Sequence, residues 1–306
     1  MSGFKLPQVA VLDVVPGREV LIDADCVAYY GAAGCDEMLV RSATRRADLR
    51  MKQIIAETRA ESYTGYLTGK NNFRDLIATL QRYKGNRYDK NGKRITVQPL
   101  WLSAVRLHLQ NKWGCLMCEG QEADDALSIH QYRAKEIGTE TIISSIDKDL
   151  LINSGLHHNM TSGEMFKSEG YGEIWVSKNG VKGHGLKFFL TQLLMGDSAD
   201  WIKGLPKVTQ MMKDEYGIAR LGGCGPKAAF LVINDTKSYQ EGLERVTKCY
   251  DEFWYENGYD HWNNSKLHFG AGPSTAHNQL KEQGQLLWMR RKEGELWTQD
   301  MQFPLV

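Results

Sequence analysis

The sequence predicts an α/β fold joined to a helical subdomain, and three observations predict it. Two short apolar runs, residues 19–22 and 141–146, are rich in β-branched residues and read as buried strands. Each leads directly into acids: Asp23 and Asp25 after the first, Asp147 and Asp149 after the second. Beyond Lys182-Gly183-His184-Gly185 the apolar spacing turns helical, so that Gly-rich link is the expected boundary between residues 1–182 and 183–306. A chain of 306 residues can bury a full core and has room for two subdomains around one cleft.

Bulk composition excludes little. The formal net charge is +1, so nothing global announces nucleic acid. Six cysteines are scattered, and only Cys115 and Cys118 form a CxxC, with no second pair at zinc-ribbon spacing. Free reduced thiols in a cytoplasmic protein are the expectation, with a zinc site as the alternative. No apolar run approaches the roughly 20 residues of a membrane span, and the N-terminus carries no signal-peptide core. No membrane partner is therefore expected.

Taken in order, residues 19–23 form the first strand, and Cys26 to Tyr30 begin a helix. Residues 36–60 have a helical pattern with several basic side chains. Residues 62–68 read as a second strand, followed by a loop that opens a helix near Asp75. Residues 82–94 are a charge anomaly. Arg82, Lys84, Arg87, Lys90, Lys93 and Arg94 stand against a single Asp89, with Tyr83 and Tyr88 interleaved. Such a segment is either a solvated loop or a surface for phosphates. Residues 99–113 suit a helix with Pro99 near its first turn, and Leu116-Met117 a brief strand.

Glu122, Asp124 and Asp125 then open another helix, where acids complement the helix dipole. Three carboxylates within four residues also repel one another, which favours a nearby cation. The run at 141–146 ends in Asp147 and Asp149, which face one side if the strand continues through them. A DxD turn that merely solvates a strand end is the alternative. Ligands of open α/β sheets gather at the carboxyl ends of strands. Residues 155–177 alternate like a β-hairpin on the sheet edge. After the Gly-rich link, the helix at 186–195 runs into Asp197 and Asp200, which share a face if the turn stays helical. Gly222 to Lys227 is a Gly-rich turn entering a helix. It suits backbone approach to phosphates, and equally a plain turn with Pro226 at the first helical position. Helices near 237–256 and 275–292 close the chain.

Together the acids number nine: Asp23, Asp25, Glu122, Asp124, Asp125, Asp147, Asp149, Asp197 and Asp200. Such a cluster needs cations. Hard oxygen ligands mean magnesium, with manganese as a substitute. Two such ions, roughly 3.5–4 Å apart, can clamp both oxygens of a phosphodiester displacement.

The ordered set LIDAD, YKGNR, EADD, SSIDKDL, MGDSAD and GCGPKAA resembles the flap endonuclease superfamily. It looks most like the bacteriophage 5′→3′ exonucleases, relatives of the 5′-nuclease domain of bacterial DNA polymerase I. The resemblance covers roughly residues 18–232 and extends weakly to QGQLLWMRRKEGELW. It implies a PIN-like α/β nuclease core with a mainly parallel sheet, a helical arch at about residues 69–98 and a C-terminal helix–three-turn–helix motif. Asp23, Glu122, Asp124, Asp147, Asp149, Asp197 and Asp200 match metal ligands. Asp125 matches an acid acting through water. Tyr29 matches an aromatic stacking on the terminal base, Lys84 and Arg87 match basic arch residues at the scissile phosphate, and Tyr83 lies beside them. Gly223, Gly225 and Lys227 match the duplex-gripping motif, which in this family often holds potassium.

Two departures stand out. Where relatives usually carry an acid at the end of the second strand, this chain reads Tyr66-Leu67-Thr68-Gly69, and Asp25 is the candidate to take over that coordination. Residues 207–221 interrupt the usual short spacing of the Gly-rich hairpin. The resemblance implies a magnesium-dependent 5′→3′ exonuclease in phage replication or primer removal, acting on duplex DNA with 5′ ends, nicks or flaps and on RNA in RNA/DNA hybrids. A structure-selective flap endonuclease is the alternative, and a catalytically inert nucleic-acid-binding module is the rival of another class.

Overall fold

The structure is a computed structural model that describes residues 13–258 and 275–303. Its centre is a six-stranded sheet in the order β3-β2-β1-β4-β5-β6. The strands are β1 (Val15–Asp23), β2 (Ala60–Thr68), β3 (Leu116–Cys118), β4 (Thr141–Ser145), β5 (Gly155–Asn159) and β6 (Met165–Ser168). The first five are parallel and β6 runs antiparallel at the edge. The fold class is thus α/β with a mainly parallel sheet.

Strand alternation explains how the sheet is covered on both faces. Val20 and Ile22 of β1 join a buried cluster with Val27, Ala43, Met51, Ile54, Leu67 and Leu109. These come from α1 (Ala24–Ala32), α2 (Val40–Thr58), β2 and α4 (Leu102–Trp113). Leu21, one residue out of phase, joins Leu127, Ile143 and Leu150 on the opposite face, where α5 (Ala123–Glu136) lies. Helices α1 and α2 approach closely because Gly31 has no side chain. A Cβ there would come within 3.0 Å of both the Ala43 carbonyl oxygen and the Ala47 methyl.

The strand order reverses between β1 and β4. That reversal leaves a crevice at the carboxyl ends of these two strands. Asp23 ends β1, and Asp147 lies two residues beyond β4. The sheet topology, not sequence proximity, therefore puts these acids side by side.

A second apolar body is built from a β7 (Glu173–Ser177) and β8 (Gly180–His184) hairpin and helices α6 (Gly185–Met195), α7 (Gln210–Tyr216), α8 (Pro226–Ile233), α9 (Tyr239–Phe253) and α10 (Ala276–Leu287). Phe188, Phe189, Leu193, Tyr250, Phe253, Trp288 and Trp297 are among the side chains that fill it. Thr209, Ser238 and Thr275 cap α7, α9 and α10 by accepting from the backbone N–H three residues on.

Several expectations are corrected. Residues 155–177 are not one hairpin: β5 pairs with β6, while β7 pairs with β8 in a separate ribbon. The Gly-rich link at 182–185 is not a linker, because it forms most of β8 and the first residue of α6. The segment expected as a helical arch is an irregular strap from Gly69 to Trp101. Its helical content is α3 (Arg74–Ile77), one 3-10 turn at Gly85–Arg87 and no more. Its charged middle lacks the apolar period that would bury a helix face, and its side chains instead seek partners below. Residues 207–221 contain α7 and enlarge the loop before α8.

Candidate active site

The crevice gathers carboxylates from four places in the chain. Asp23 caps α1, its Oδ1 accepting from the Cys26 backbone N–H at 3.1 Å. Its Oδ2 accepts from the Ser145 hydroxyl at 2.7 Å and the Cys26 thiol at 2.8 Å. Ser145 in turn accepts from the Asp147 N–H at 3.0 Å, so one hydroxyl ties the ends of β1 and β4 together. Asp147 and Asp149 do not continue the strand. The chain turns into a 3-10 helix, and the Asp147 carboxylate accepts from the Asp149 N–H at 2.9 Å, so the expected same-side extension is replaced by a tight acidic turn.

Asp124 in the first turn of α5 accepts no hydrogen bond among the described residues. Burial, then the charges of Asp147, Asp23 and Glu122, push its carboxyl well above the usual range. Asp147 is raised by burial, with Asp200 and Asp23 adding to it against the Asp149 N–H bond. Burial and the Asp147 charge push Asp149 up to about 7. These shifts have one cause: negative charges confined where water cannot separate them.

Chain cations balance part of this charge. Lys84 donates to Glu122 at 2.5 Å and lies 3.5 Å from Asp200, and Arg87 lies 3.3 Å from Asp200. The buried Tyr83 hydroxyl lies within hydrogen-bond distance of both Glu122 (2.8 Å) and Asp200 (2.7 Å). Burial alone would raise Glu122, but Lys84 and Arg74 outweigh it and hold it below the usual range. Lys148 bridges Asp149 and Asp197, and Gln192 of α6 donates to Asp149 at 2.6 Å. Asp197 and Asp200 sit on a non-helical turn closed by paired backbone bonds between Asp197 and Ile202. The expected shared helical face is therefore absent.

Two acids lie outside the cluster, and one aromatic is not where it was expected. Asp25 falls on the first turn of α1. Its carboxylate accepts from the Thr68 N–H at 2.8 Å and pairs with Arg106. It reaches the end of β2, where the expected acid is missing, but Arg106 already neutralises it. Thr68 uses its hydroxyl to accept from the Ala123 N–H at 3.0 Å, so it anchors α5 rather than a cation. Asp125 is fully buried and turned away. Arg74 grips it with two bonds of 2.6 and 3.0 Å, and it closes a capping box with Glu122. Successive helical residues diverge by about 100°, so Asp124 and Asp125 cannot both face the crevice. Tyr83 is 4% exposed and bound to acids, so it offers no open face for a base. Tyr29, by contrast, is 55% exposed on α1. Gly223 and Lys227 are exposed and Gly225 is half-buried, in the turn leading into α8.

The chain resembles a 5′-3′ exonuclease and a DNA polymerase I in sequence. It is 30% identical over 145 residues to a 5′-3′ exonuclease of Buchnera aphidicola subsp. Schizaphis graminum, covering 46% of each chain. It is 29% identical over 136 residues to DNA polymerase I of Rhizobium leguminosarum, covering 44% of this chain and 11% of that protein. It spans less than half the length of either relative. Among solved structures, the T5 D15 protein co-crystallised with metal ions matches 79% of this chain and 94% of its own, with a TM-score of 0.45 and 15% identity. No family model matches the chain.

Ser145, Lys148, Gln192 and Arg74 escaped the sequence reading. Lys148 had a signal, since it sits between the two acids of DKD. Arg74 had none, because its partners are 51 and more than 200 residues away. The six cysteines are free thiols, and among the described residues no helix is long and apolar enough to cross a membrane.

Proposed function

We propose that this chain is a metal-dependent 5′→3′ exonuclease that hydrolyses DNA from 5′ ends, and RNA in RNA/DNA hybrids, leaving 5′-phosphate products. The observation that carries the reading is the convergence of Asp23, Glu122, Asp124, Asp147, Asp149, Asp197 and Asp200 at one strand-order reversal, beneath a basic strap. Among the described residues no group of three or more acid, His or Cys side chains is drawn together closely enough to hold a metal ion as the side chains stand. The donor set nevertheless fits hard divalent ions. All donors are carboxylate oxygens, Asp124 lacks a hydrogen-bond partner among the described residues, and burial, with repulsion from neighbouring acids, raises Asp124, Asp147 and Asp149.

Asp23, Glu122, Asp124, Asp147, Asp149, Asp197 and Asp200 would together hold two magnesium or manganese ions. Bound there, the ions supply charge neutralisation for the attacking and departing oxygens of a phosphodiester. The remaining work belongs to the chain. Lys84 and Arg87 present an ammonium and a guanidinium at the mouth of the cluster, and both can exchange carboxylate partners for phosphate oxygens. Lys148 spans Asp149 and Asp197 and holds the acidic turn against the loop after α6. Tyr29 offers an exposed ring for a terminal base. The turn with Gly223, Gly225 and Lys227 offers backbone N–H groups and one ammonium to a duplex backbone, and potassium would bind there. In this reading the sheet-bearing part, expected at 1–182, cuts, and the helical part, expected at 183–306, grips, in the cytoplasm of a host.

The test is digestion of 5′-labelled and 3′-labelled nicked, blunt and flapped duplexes with magnesium. A 5′ label should appear first in the shortest products, while the 3′-labelled strand shortens in steps. Release of intact flaps alone would move the reading to a flap endonuclease. No magnesium-dependent cleavage of any substrate would leave a binding module.

A further inference from the structure

We infer that Trp201 is a stacking platform for a nucleobase of the strand being cut, an inference that rests on the nuclease reading above. Trp201 follows Asp200 directly, and Asp200 contacts Tyr83, Lys84 and Arg87. Its ring is therefore one residue from the acid cluster. It is 38% exposed, and its backbone is left-handed with φ +62°. A bulky residue in that region is an outlier that persists only when its surroundings fix it.

The surroundings do fix it. Asp197 and Ile202 exchange backbone bonds of 2.8 and 2.7 Å across the turn. The Asp197 carboxylate accepts from the Ala199 N–H at 2.7 Å. From the strap, the Lys84 N–H donates to the Asp200 carbonyl at 2.9 Å and Asn86 donates to the Ser198 carbonyl at 3.1 Å. Gly85 leaves room for the indole, since a Cβ there would stand 3.2 Å from the Trp201 ring. Lys203 sets its ammonium 4.4 Å from the ring centroid.

The exposed indole forms a wall of a groove of about 330 Å³, which also takes in Lys203, Leu205, Pro206, Gly223 and Gly225. Its lining includes Asp197 of the acid cluster and the Gly-rich turn. A flat apolar ring with the Lys203 ammonium over its face, in one groove with the Gly-rich turn, suits one chemistry: a base that stacks on the indole in place of the ammonium, with its phosphates toward Lys203 and the strap. The stack would hold the strand in register with the acids while reading no sequence.

The experiment measures binding of a 5′-tailed duplex by anisotropy in calcium, for wild type, Trp201→Phe and Trp201→Ala. A matched set of substrates carries one abasic site at each of the first few tail positions. On the intact tail, Trp201→Ala should weaken binding about tenfold and Trp201→Phe far less, as for a single base–aromatic stack. At one tail position the abasic site should weaken wild type by the same factor and leave Trp201→Ala unchanged. Losses that multiply at every tail position, or a Trp201→Ala affinity equal to wild type, would overturn the platform. Failure of wild type to bind any substrate would refute the nuclease reading itself.

Discussion

Replacing Arg74 by Met should destabilise the protein by about 4 kcal/mol. Arg74 is fully buried, and its guanidinium makes two bonds to Asp125, one to the Leu286 carbonyl at 2.9 Å and one to the Trp288 carbonyl at 2.7 Å. Burial disfavours its charge, but Asp125 outweighs burial and keeps it ionised. Met fills much of the same volume and removes every donor. Asp125 would keep only the Glu122 N–H at 3.2 Å and the Arg290 N–H at 3.3 Å, and two carbonyls would be orphaned. Removing one partner of a buried pair costs roughly 3–5 kcal/mol, chiefly because the other charge stays buried. The assay is urea unfolding, read as the change in midpoint times slope. Asp125→Asn added to Arg74→Met should recover part of the loss, giving a coupling energy of about 1 kcal/mol or more. Because Asp125 also caps the helix that carries Glu122 and Asp124, cleavage by Arg74→Met should fall even where the chain is folded. A loss below about 1 kcal/mol, set against that 3–5 range, would refute the claim that this pair joins the C-terminal segment to the acid-bearing helix.

Three further outcomes are expected. Lys84→Ala should lower single-turnover cleavage by about two to three powers of ten, the effect of losing one transition-state donor; a change confined to affinity and its salt dependence would make Lys84 a plain phosphate contact. Ser145→Ala should raise the magnesium concentration for half-maximal cleavage about tenfold, as loss of a bond to a ligating side chain does, and Ser145→Thr should restore it; an unchanged magnesium midpoint would show that the Ser145 bonds to Asp23 and Asp147 position nothing. Burial pushes His157 down to about 4 from 6.5, so the folded chain binds fewer protons than the unfolded one between those values. The neutral imidazole's contribution is complete above pH 6.5 and is lost as pH falls toward 4, a span of about 3 kcal/mol. His157→Phe should flatten that acid limb of the stability curve, and parallel curves for the two proteins would count against it.

What the sequence made legible was local. β-branched runs with acids at their ends gave β1, β4 and the crevice between them, because strand burial and terminal charge are written in adjacent residues. The separate β7–β8 ribbon was also written there. Asn179-Gly180 is a hairpin signal in sequence, although the turn itself is Lys178-Asn179 and Gly180 opens β8, and the alternation of 155–177 concealed it. Which of two neighbouring acids faces the site was readable in principle from helical geometry, since Asp124 and Asp125 cannot share a direction. What could not be read was pairing across the chain. Nothing near Asp25 says that Arg106 neutralises it, and nothing near Tyr83 says that its hydroxyl reaches Glu122 and Asp200.

The same distinction bears on the strap. Read as a charge run, residues 82–94 promise a surface that attracts phosphate from outside. Packed as it is, the strap has turned three of its groups inward: Tyr83, Lys84 and Arg87 all meet Glu122 or Asp200. A phosphate that enters the crevice therefore competes with carboxylates for Lys84 and Arg87, and any cation that enters competes with Lys84 and Arg87 for the carboxylates. The two exchanges help each other. A cation on Glu122 and Asp200 frees the basic side chains, and a phosphate on the basic side chains frees the acids. Metal and substrate should therefore bind with positive coupling through this one set of ion pairs. An exposed basic loop that never touched the acids could not couple them so directly.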